Sequence, residues 1–185
     1  DFPKEEKFWN SIRQKDIMVH VPYESYDPIL KFIKDAASDK QVLAIKITLY
    51  RTGNDSPIIQ ALKEATQNGK QVTVFVELKA RFDEKRNISW VSELEKAGAI
   101  VIYGIVNLKV HAKLCLIIRK ENDRIRRYLH ISTGNYNPNT AKLYQDISIF
   151  TSKDELTRDA TLFFNVISGY SAVQSMKNIF MAPIC

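Results

Sequence analysis

Residues 41–78, QVLAIKITLYRTGNDSPIIQALKEATQNGKQVTVFVEL, read as strand, helix and strand in succession. Gln41 to Tyr50 is apolar, rich in β-branched side chains and short for a helix, the pattern of a buried strand. Asp55-Ser56-Pro57 supplies a cap and a first-turn proline for the helix that follows, and Asn68-Gly69 offers the left-handed stop that helix ends prefer. Gln71 to Leu78 is the second strand. Two short apolar strands joined by a helix imply a right-handed crossover and parallel pairing.

The same grammar extends outward. Ser25 to Ala37 carries Ile29, Leu30, Phe32 and Ile33 behind Pro28, a helix with Asp27 as its expected N-cap. Ile88 to Lys96 is a helix stopped at Gly98, and Ala99 to Tyr103 is the next strand. After Gly104 the helices drop out: Lys109 to Ile118, Arg126 to Ser132 and Asp146 to Thr151 follow as strands that add antiparallel or mixed pairing at one side. Asp154 to Ser168 closes the pattern as an amphipathic helix with Leu156, Leu162, Phe163, Val166 and Ile167 inward. The expected fold is α/β, a mixed, mostly parallel sheet flanked by helices. Residues 1–185 are expected to form a single catalytic domain, with 1–20 and 170–185 as peripheral or inter-domain segments.

Composition narrows the function classes. The 185 residues are 45% hydrophobic, enough for a substantial core and against global disorder. No run approaches the roughly 20 apolar residues of a membrane-spanning helix. The two cysteines, Cys115 and Cys185, make no disulfide framework and favour a reducing compartment, and Cys115 is expected to be a small buried apolar residue. Twenty-seven Lys and Arg against 21 Asp and Glu leave a net charge of +6, which favours an anionic partner without choosing one. The first residue is Asp1 rather than Met, and the chain is expected to be a fragment of a longer multidomain protein.

In an open α/β sheet ligands collect at the carboxyl ends of strands. Arg51 directly follows the strand 41–50 and opens a loop that feeds a helix N-terminus, and Arg81 lies just beyond strand 71–78. Loop amides, a helix N-terminus and an Arg fork together suit phosphate, although either arginine alone is better explained as solvated or paired with Asp55, Asp83 or Glu84; it is the two in equivalent positions that bring phosphate level with that explanation. Lys109-Val-His-Ala-Lys113 places residues 109, 111 and 113 on one face if the segment is a strand. Two cations beside His111 favour the neutral imidazole, whose nitrogen is a nucleophile, and the lysines can hold phosphoryl oxygens under attack. A solvated polar face explains the same pattern. Ser132-Thr-Gly-Asn-Tyr-Asn137 adds hydroxyls, amides and a glycine that lets backbone approach closely, which an ordinary Asx-rich turn also does. His20, before Val21-Pro22, reads as a capping or packing residue, and His130, within the strand 126–132, as structural. Arg119-Lys120 with Arg124, Arg126 and Arg127 flank a polar hairpin turn; such a cluster is usually a solvated surface, though a polyanion can be guided along it.

An H-x-K strand followed by a strand ending in G-N-x-N resembles a half-site of the phospholipase D superfamily, whose usual Asp would stand where this chain has Ile118. A longer set of strings resembles the bacterial polyphosphate kinases: His20-Val-Pro-Tyr-Glu-Ser-Tyr-Asp-Pro28, Lys46-Ile-Thr-Leu-Tyr-Arg-Thr-Gly53, Glu77-Leu-Lys-Ala-Arg-Phe-Asp-Glu84, Lys109-Val-His-Ala-Lys-Leu114, Ser132-Thr-Gly-Asn-Tyr-Asn137 and Leu143-Tyr-Gln-Asp146. Nearly the whole chain is similar to the first of that family's two C-terminal catalytic domains, a phospholipase D-like fold. The resemblance implies that His111 is the phosphorylated nucleophile, assisted by Lys113, and that Tyr144 contacts ATP. Arg51, Arg81, Lys109, Asn135 and Asn137 then bind phosphate oxygens. The family assigns Arg51 and Arg81 to a Mg²⁺ site. A guanidinium has no lone pair for a cation, so they are expected to hold the phosphates to which Mg²⁺ is attached.

The implied activity is reversible transfer of the ATP γ-phosphate to inorganic polyphosphate through phosphohistidine. The implied partners are ATP/ADP, polyphosphate, a second catalytic domain carrying another histidine and an arginine, and N-terminal domains of the same chain. A homo-oligomer when full length, a cytoplasmic or membrane-associated location and no nucleic-acid partner are further expectations, as is little or no activity from the isolated domain. Two other classes stay open. A phospholipase D-type phosphodiesterase or nuclease predicts hydrolysis without ATP. A non-catalytic polyanion-binding module predicts salt-sensitive binding that depends on Arg124 to Arg127.

Overall fold

The apolar runs become strands of one sheet in a computed structural model of the chain, which describes residues 5–50, 52, 56–77, 84–104, 110–122, 124–172 and 175–182. In chain order the elements are α1 (Glu5–Gln14), β1 (Ile17–Val21), α2 (Asp27–Ser38), β2 (Val42–Leu49), α3 (Pro57–Gln67), β3 (Gln71–Val76), α4 (Glu84–Ala97), β4 (Ile100–Tyr103), β5 (Lys113–Glu121), β6 (Arg124–Ser132), β7 (Asp146–Thr151) and α5 (Asp154–Ile167). A short 3-10 turn spans Thr140–Lys142. The seven strands lie in the order β1-β7-β6-β5-β2-β3-β4. No helix among the described residues is long and apolar enough to cross a membrane.

The mixed α/β class expected from the sequence is the one observed, but its balance differs. β2 pairs with β3 and β3 with β4 in parallel, whereas β1–β7, β2–β5, β5–β6 and β6–β7 are antiparallel. Parallel pairing is therefore the minority. Only the strands joined by helices need crossovers; from β5 onward the chain meanders, and hairpin connections make antiparallel pairs. β1, which carries no strong periodic signal, closes the antiparallel edge through a register of Ile17 with Phe150 to Val21 with Asp146.

Local signals account for most boundaries. Ser56 caps α3 by accepting from the Ile58 N–H at 3.3 Å, and Gly69 beyond its end has φ of 76°. α2 departs from expectation: Tyr26 holds the N-cap position without a side-chain cap bond, and the Ser25 hydroxyl accepts the Asp27 N–H at 3.1 Å. Asp27 instead lies in the first turn, where a carboxylate favours the positive end of the helix dipole. α4 starts earlier than expected, at Glu84 rather than Ile88.

Two apolar clusters lie on opposite faces of the sheet. On one face Phe8, Trp9 and Ile12 of α1, Ile29, Phe32 and Ile33 of α2, Ile58 and Leu62 of α3, and Trp90, Val91 and Leu94 of α4 pack on Ile45, Ile47, Val74, Ile117, Tyr128 and Phe150. Aromatic edges join the layers, with Trp9 and Tyr128 ring centres 4.7 Å apart and Phe32 and Phe150 5.3 Å apart. On the other face Phe163, Phe164 and Ile167 of α5 cover Phe75, Leu114, Leu116 and Leu129.

Beyond α5, Met176, Ile179 and Met181 complete that second cluster. Asp159, 3% exposed, holds the returning chain: its Oδ2 accepts the backbone N–H groups of Lys177 (3.0 Å), Asn178 (2.6 Å) and Ile179 (3.1 Å). An acceptor used three times by otherwise unsatisfied donors is costly to remove. Asp159→Ala is expected to lower unfolding free energy by about 3 kcal/mol and to expose 175–182 to proteolysis. Unchanged denaturant midpoint and protection would count against this role.

Candidate functional site

The antiparallel meander brings one end of every strand to a common edge. β2, β3 and β4 run out there, β6 ends there at Ser132, and β5 and β7 begin there at Lys113 and Asp146. This is the carboxyl edge of the parallel strands, where the sequence placed the ligand site.

His111 is exposed and stands two residues before β5. The expected strand over 109–118 begins instead at Lys113, so the alternation argument for residues 109, 111 and 113 does not hold as drawn. The cause is Thr48, buried in β2. Its hydroxyl donates to the Ala112 carbonyl at 2.7 Å and accepts the Leu114 N–H at 3.0 Å, taking backbone partners that the ladder would have used. On the other side of β2, buried Glu77 accepts the Val110 N–H through Oε2 at 3.2 Å. The segment carrying His111 is thus held by side chains from β2 and from the end of β3.

Lys113 reaches its histidine by another route. The residue is 5% exposed, and its Nζ lies 2.9 Å from His111 Nδ1 and 3.1 Å from Nε2 while donating to the His111 carbonyl at 2.5 Å. Tyr50, 8% exposed, forms a wall: its ring meets the imidazole edge-on at 5.3 Å between centres and 72°, and Lys113 Nζ lies 5.7 Å from the Tyr50 centroid, within cation–π range. An ammonium against an accessible imidazole is the arrangement required to hold an anionic group at a nucleophilic nitrogen.

The loop after β6 starts at the same edge, from Ser132, the Cα partner of Lys113. Gly134 is required by close approach, since a Cβ there would stand 2.6 Å from Asp146 Oδ2. Thr133 Oγ1 donates to Asp146 Oδ1 at 2.8 Å and accepts the Ile147 N–H at 3.0 Å, stitching the loop to β7. Asn137 Oδ1 accepts the N–H groups of Asn139 (2.9 Å) and Thr140 (3.4 Å), so its carbonyl shapes the 3-10 turn. Asn135 Oδ1 is buried without a hydrogen-bond partner among the described residues. Tyr144 is 64% exposed, its ring open to solvent.

Beneath the loop, His130 and Tyr136 are 0% and 1% exposed and joined Nδ1 to hydroxyl at 2.7 Å. Burial pushes His130 down to about 3 and Tyr136 well above the ordinary phenol range, so both are neutral. Tyr136 lies between Asn135 and Asn137, and this neutral pair anchors the loop from inside. Cys115, Cα partner of His130, is fully buried, and burial raises its thiol; it is a packing residue, as expected.

The basic hairpin is not part of this assembly. It lies at the far end of β5 and β6, about 27 Å along a nine-residue strand. Arg119 and Arg126 are committed there to Glu121, at 2.7 and 3.2 Å, and Arg13 adds a third contact at 2.9 Å. Burial raises the Glu121 carboxyl, and the Tyr128 hydroxyl with Arg119 and Arg13 outweighs it and holds the group below the usual range. Arg51, Arg81 and Lys109 lie outside the described residues. Tyr50, Thr48 and Glu77 were not anticipated as site residues; the available signal was a polar or phenolic side chain at the very end of an otherwise apolar strand.

The family profile described as "Polyphosphate kinase C-terminal domain 1" matches residues 7–173. The polyphosphate kinase of Exiguobacterium sibiricum is 54% identical over 180 residues, 97% of this chain and 25% of that protein. That of Halalkalibacterium halodurans is 54% identical over 183 residues, 99% of this chain and 26% of that protein. The chain therefore spans about a quarter of the length of these curated relatives. Among solved structures, polyphosphate kinase from Porphyromonas gingivalis superposes with a TM-score of 0.81 at 34% identity, over 95% of this chain and 31% of that one. Nuc from Salmonella typhimurium, a phospholipase D family member, gives 0.64 at 13% identity, over 84% of this chain and 94% of that one, a likeness of fold alone.

Proposed function

The chain belongs to the polyphosphate kinase family as its C-terminal domain 1, and from that premise we propose that His111 is the nucleophile of a reversible phosphoryl transfer between ATP and inorganic polyphosphate. An imidazole nitrogen attacks the γ-phosphorus; the N–P bond forms as the bond to the β–γ bridging oxygen breaks, and ADP leaves with that electron pair. A terminal oxygen of polyphosphate then attacks the phosphohistidine, and the N–P bond returns its pair to the imidazole. Each step reverses through the same geometry. The observation that carries this reading is Lys113 Nζ at 2.9 and 3.1 Å from the nitrogens of an exposed histidine. An ammonium there offsets charge on the transferring oxygens, and its bond to the His111 carbonyl keeps it in place as charge moves.

The other roles follow by resemblance. Tyr144 offers an exposed ring to the nucleotide, and Arg51, Arg81 and Lys109 bind phosphate oxygens. Asn135 and Asn137 contribute amide donors, with the Asn137 carbonyl already engaged in its own turn. Side-chain chemistry does not fit a protein-held Mg²⁺: guanidinium groups cannot ligate a cation, and among the described residues no group of three or more His, Cys, Asp or Glu could hold one. The ion is proposed to arrive on the nucleotide phosphates, and no step is assigned to it here. With a quarter of the relatives' length present, the remaining domains are proposed to complete the site, and the isolated domain to have little activity.

The test is to incubate the full-length enzyme with γ-labelled ATP and map the label. Acid-labile, base-stable phosphate on the His111 peptide, discharged by unlabelled polyphosphate, is the expected result. Label elsewhere, or hydrolysis of a phosphodiester without ATP, would overturn it.

A further inference from the structure

We propose that the Ser132 hydroxyl donates a hydrogen bond to a non-bridging oxygen of the transferring phosphoryl group, an assignment that rests on the phosphohistidine reading above. Ser132 ends β6 as the Cα partner of Lys113, partly exposed at the carboxyl edge. A hydroxyl has one proton and two lone pairs. Both lone pairs of Ser132 are taken, one by the Gly134 N–H at 3.0 Å and one by the Ser148 hydroxyl at 3.0 Å.

Burial sets the direction of the second bond. Ser148 is 0% exposed, and Ser132 Oγ is the acceptor available to its proton among the described residues. If Ser148 accepted instead, its own proton would be buried without a partner, at the cost of an unmade hydrogen bond. Ser148 therefore donates. The remaining Ser132 proton has no acceptor among the described residues, and with both lone pairs filled the group can act only as a donor. In the resting protein it meets water; with substrate present it meets an oxygen.

The surroundings choose an anion. Lys113 lies across the ladder with its ammonium on His111. The carboxylate next along the loop, Asp146, accepts from Thr133 rather than from Ser132. A donor fixed in advance by two incoming hydrogen bonds needs no reorientation when charge develops on the phosphoryl oxygens, which is the condition under which a single donor has a large kinetic effect.

The test uses the full-length enzyme and γ-labelled ATP in single-turnover labelling of His111, with nucleotide affinity and thermal midpoint measured in parallel. Ser132→Ala is expected to slow labelling about 10- to 100-fold at saturating ATP, with affinity within about threefold and the midpoint lowered, because the buried Ser148 hydroxyl and the Gly134 N–H lose their acceptor. Ser132→Thr, which keeps the hydroxyl on a residue suited to a strand end, is expected to recover most of the rate. Labelling of Ser132→Ala at the wild-type rate would overturn the assignment, as would Ala and Thr variants that are equally slow. Absence of label on wild-type His111 would instead remove the phosphohistidine reading, and the Ser132 role with it.

Discussion

In the full-length enzyme, His111→Ala leaves no acid-labile phosphate on this domain, and Lys113→Met forms it about 10²- to 10³-fold more slowly than wild type. Methionine keeps most of the unbranched stem of a side chain that is 5% exposed, so packing around Tyr50 survives while the ammonium is lost. What disappears is the charge at 2.9 and 3.1 Å from the imidazole nitrogens and the bond to the His111 carbonyl. Because the ammonium is aimed at the place where charge is transferred, the loss should appear in the rate at saturating ATP more than in ATP affinity. Lys113→Arg should fall between, since a planar guanidinium keeps charge but not the point geometry. Quench-flow labelling of the three proteins is the measurement; a Lys113→Met rate within threefold of wild type would sink the proposed role.

A second large effect is a pH dependence of stability originating at His130. Burial lowers its folded value to about 3 from an ordinary value of 6.5. Between those values the unfolded chain binds a proton that the folded chain refuses, so stability is fully present above about pH 6.5 and is lost as pH falls. The slope approaches about 1.4 kcal/mol per pH unit, and the full window would amount to about 5 kcal/mol. Carboxylates held low, Glu121 and Asp16, add their own loss only below their ordinary values of 4.5 and 3.8. The range from pH 6.5 to 4.5 therefore lies above the loss from these carboxylates, and the His130 variant supplies the comparison that assigns it. Urea unfolding of wild type should show a falling midpoint over that range. His130→Gln should show a flatter profile whatever its absolute stability, because the titrating group is gone. Parallel slopes for the two proteins would contradict this account.

Much of the scaffold was legible because its signals are local. The helix 57–67 announces itself through Ser56, Pro57 and Gly69, and the strands 42–49 and 71–76 through short runs rich in apolar and β-branched residues. β1 was not legible, since five residues reading IMVHV acquire strand identity only by pairing with β7. The parallel character of the sheet was overestimated for a related reason. Helical crossovers leave a strong periodic mark, whereas the pairing partners of β5, β6 and β7 are set by how a meander folds back.

The site divides in the same way. The chemistry proposed for His111 and Lys113 rests on residue type and short spacing, and the family resemblance followed from contiguous strings, so the sequence by itself determined the fold class and the family and supplied the pair proposed to react. Their arrangement was decided elsewhere. Alternation along a strand would have put the two side chains on one face; instead Thr48, 66 residues from Leu114, ends the ladder early, and Glu77, 33 residues from Val110, holds the segment before the histidine. Arg119 and Arg126, which read as free cations, are bound by Glu121. Ser132 becomes a committed donor only because β7 places the buried Ser148 against it. Periodicity and residue chemistry act over a few positions and can be read along the chain. Hydrogen-bond partners of buried groups are chosen by strands brought together in space, and only the tertiary structure specifies them.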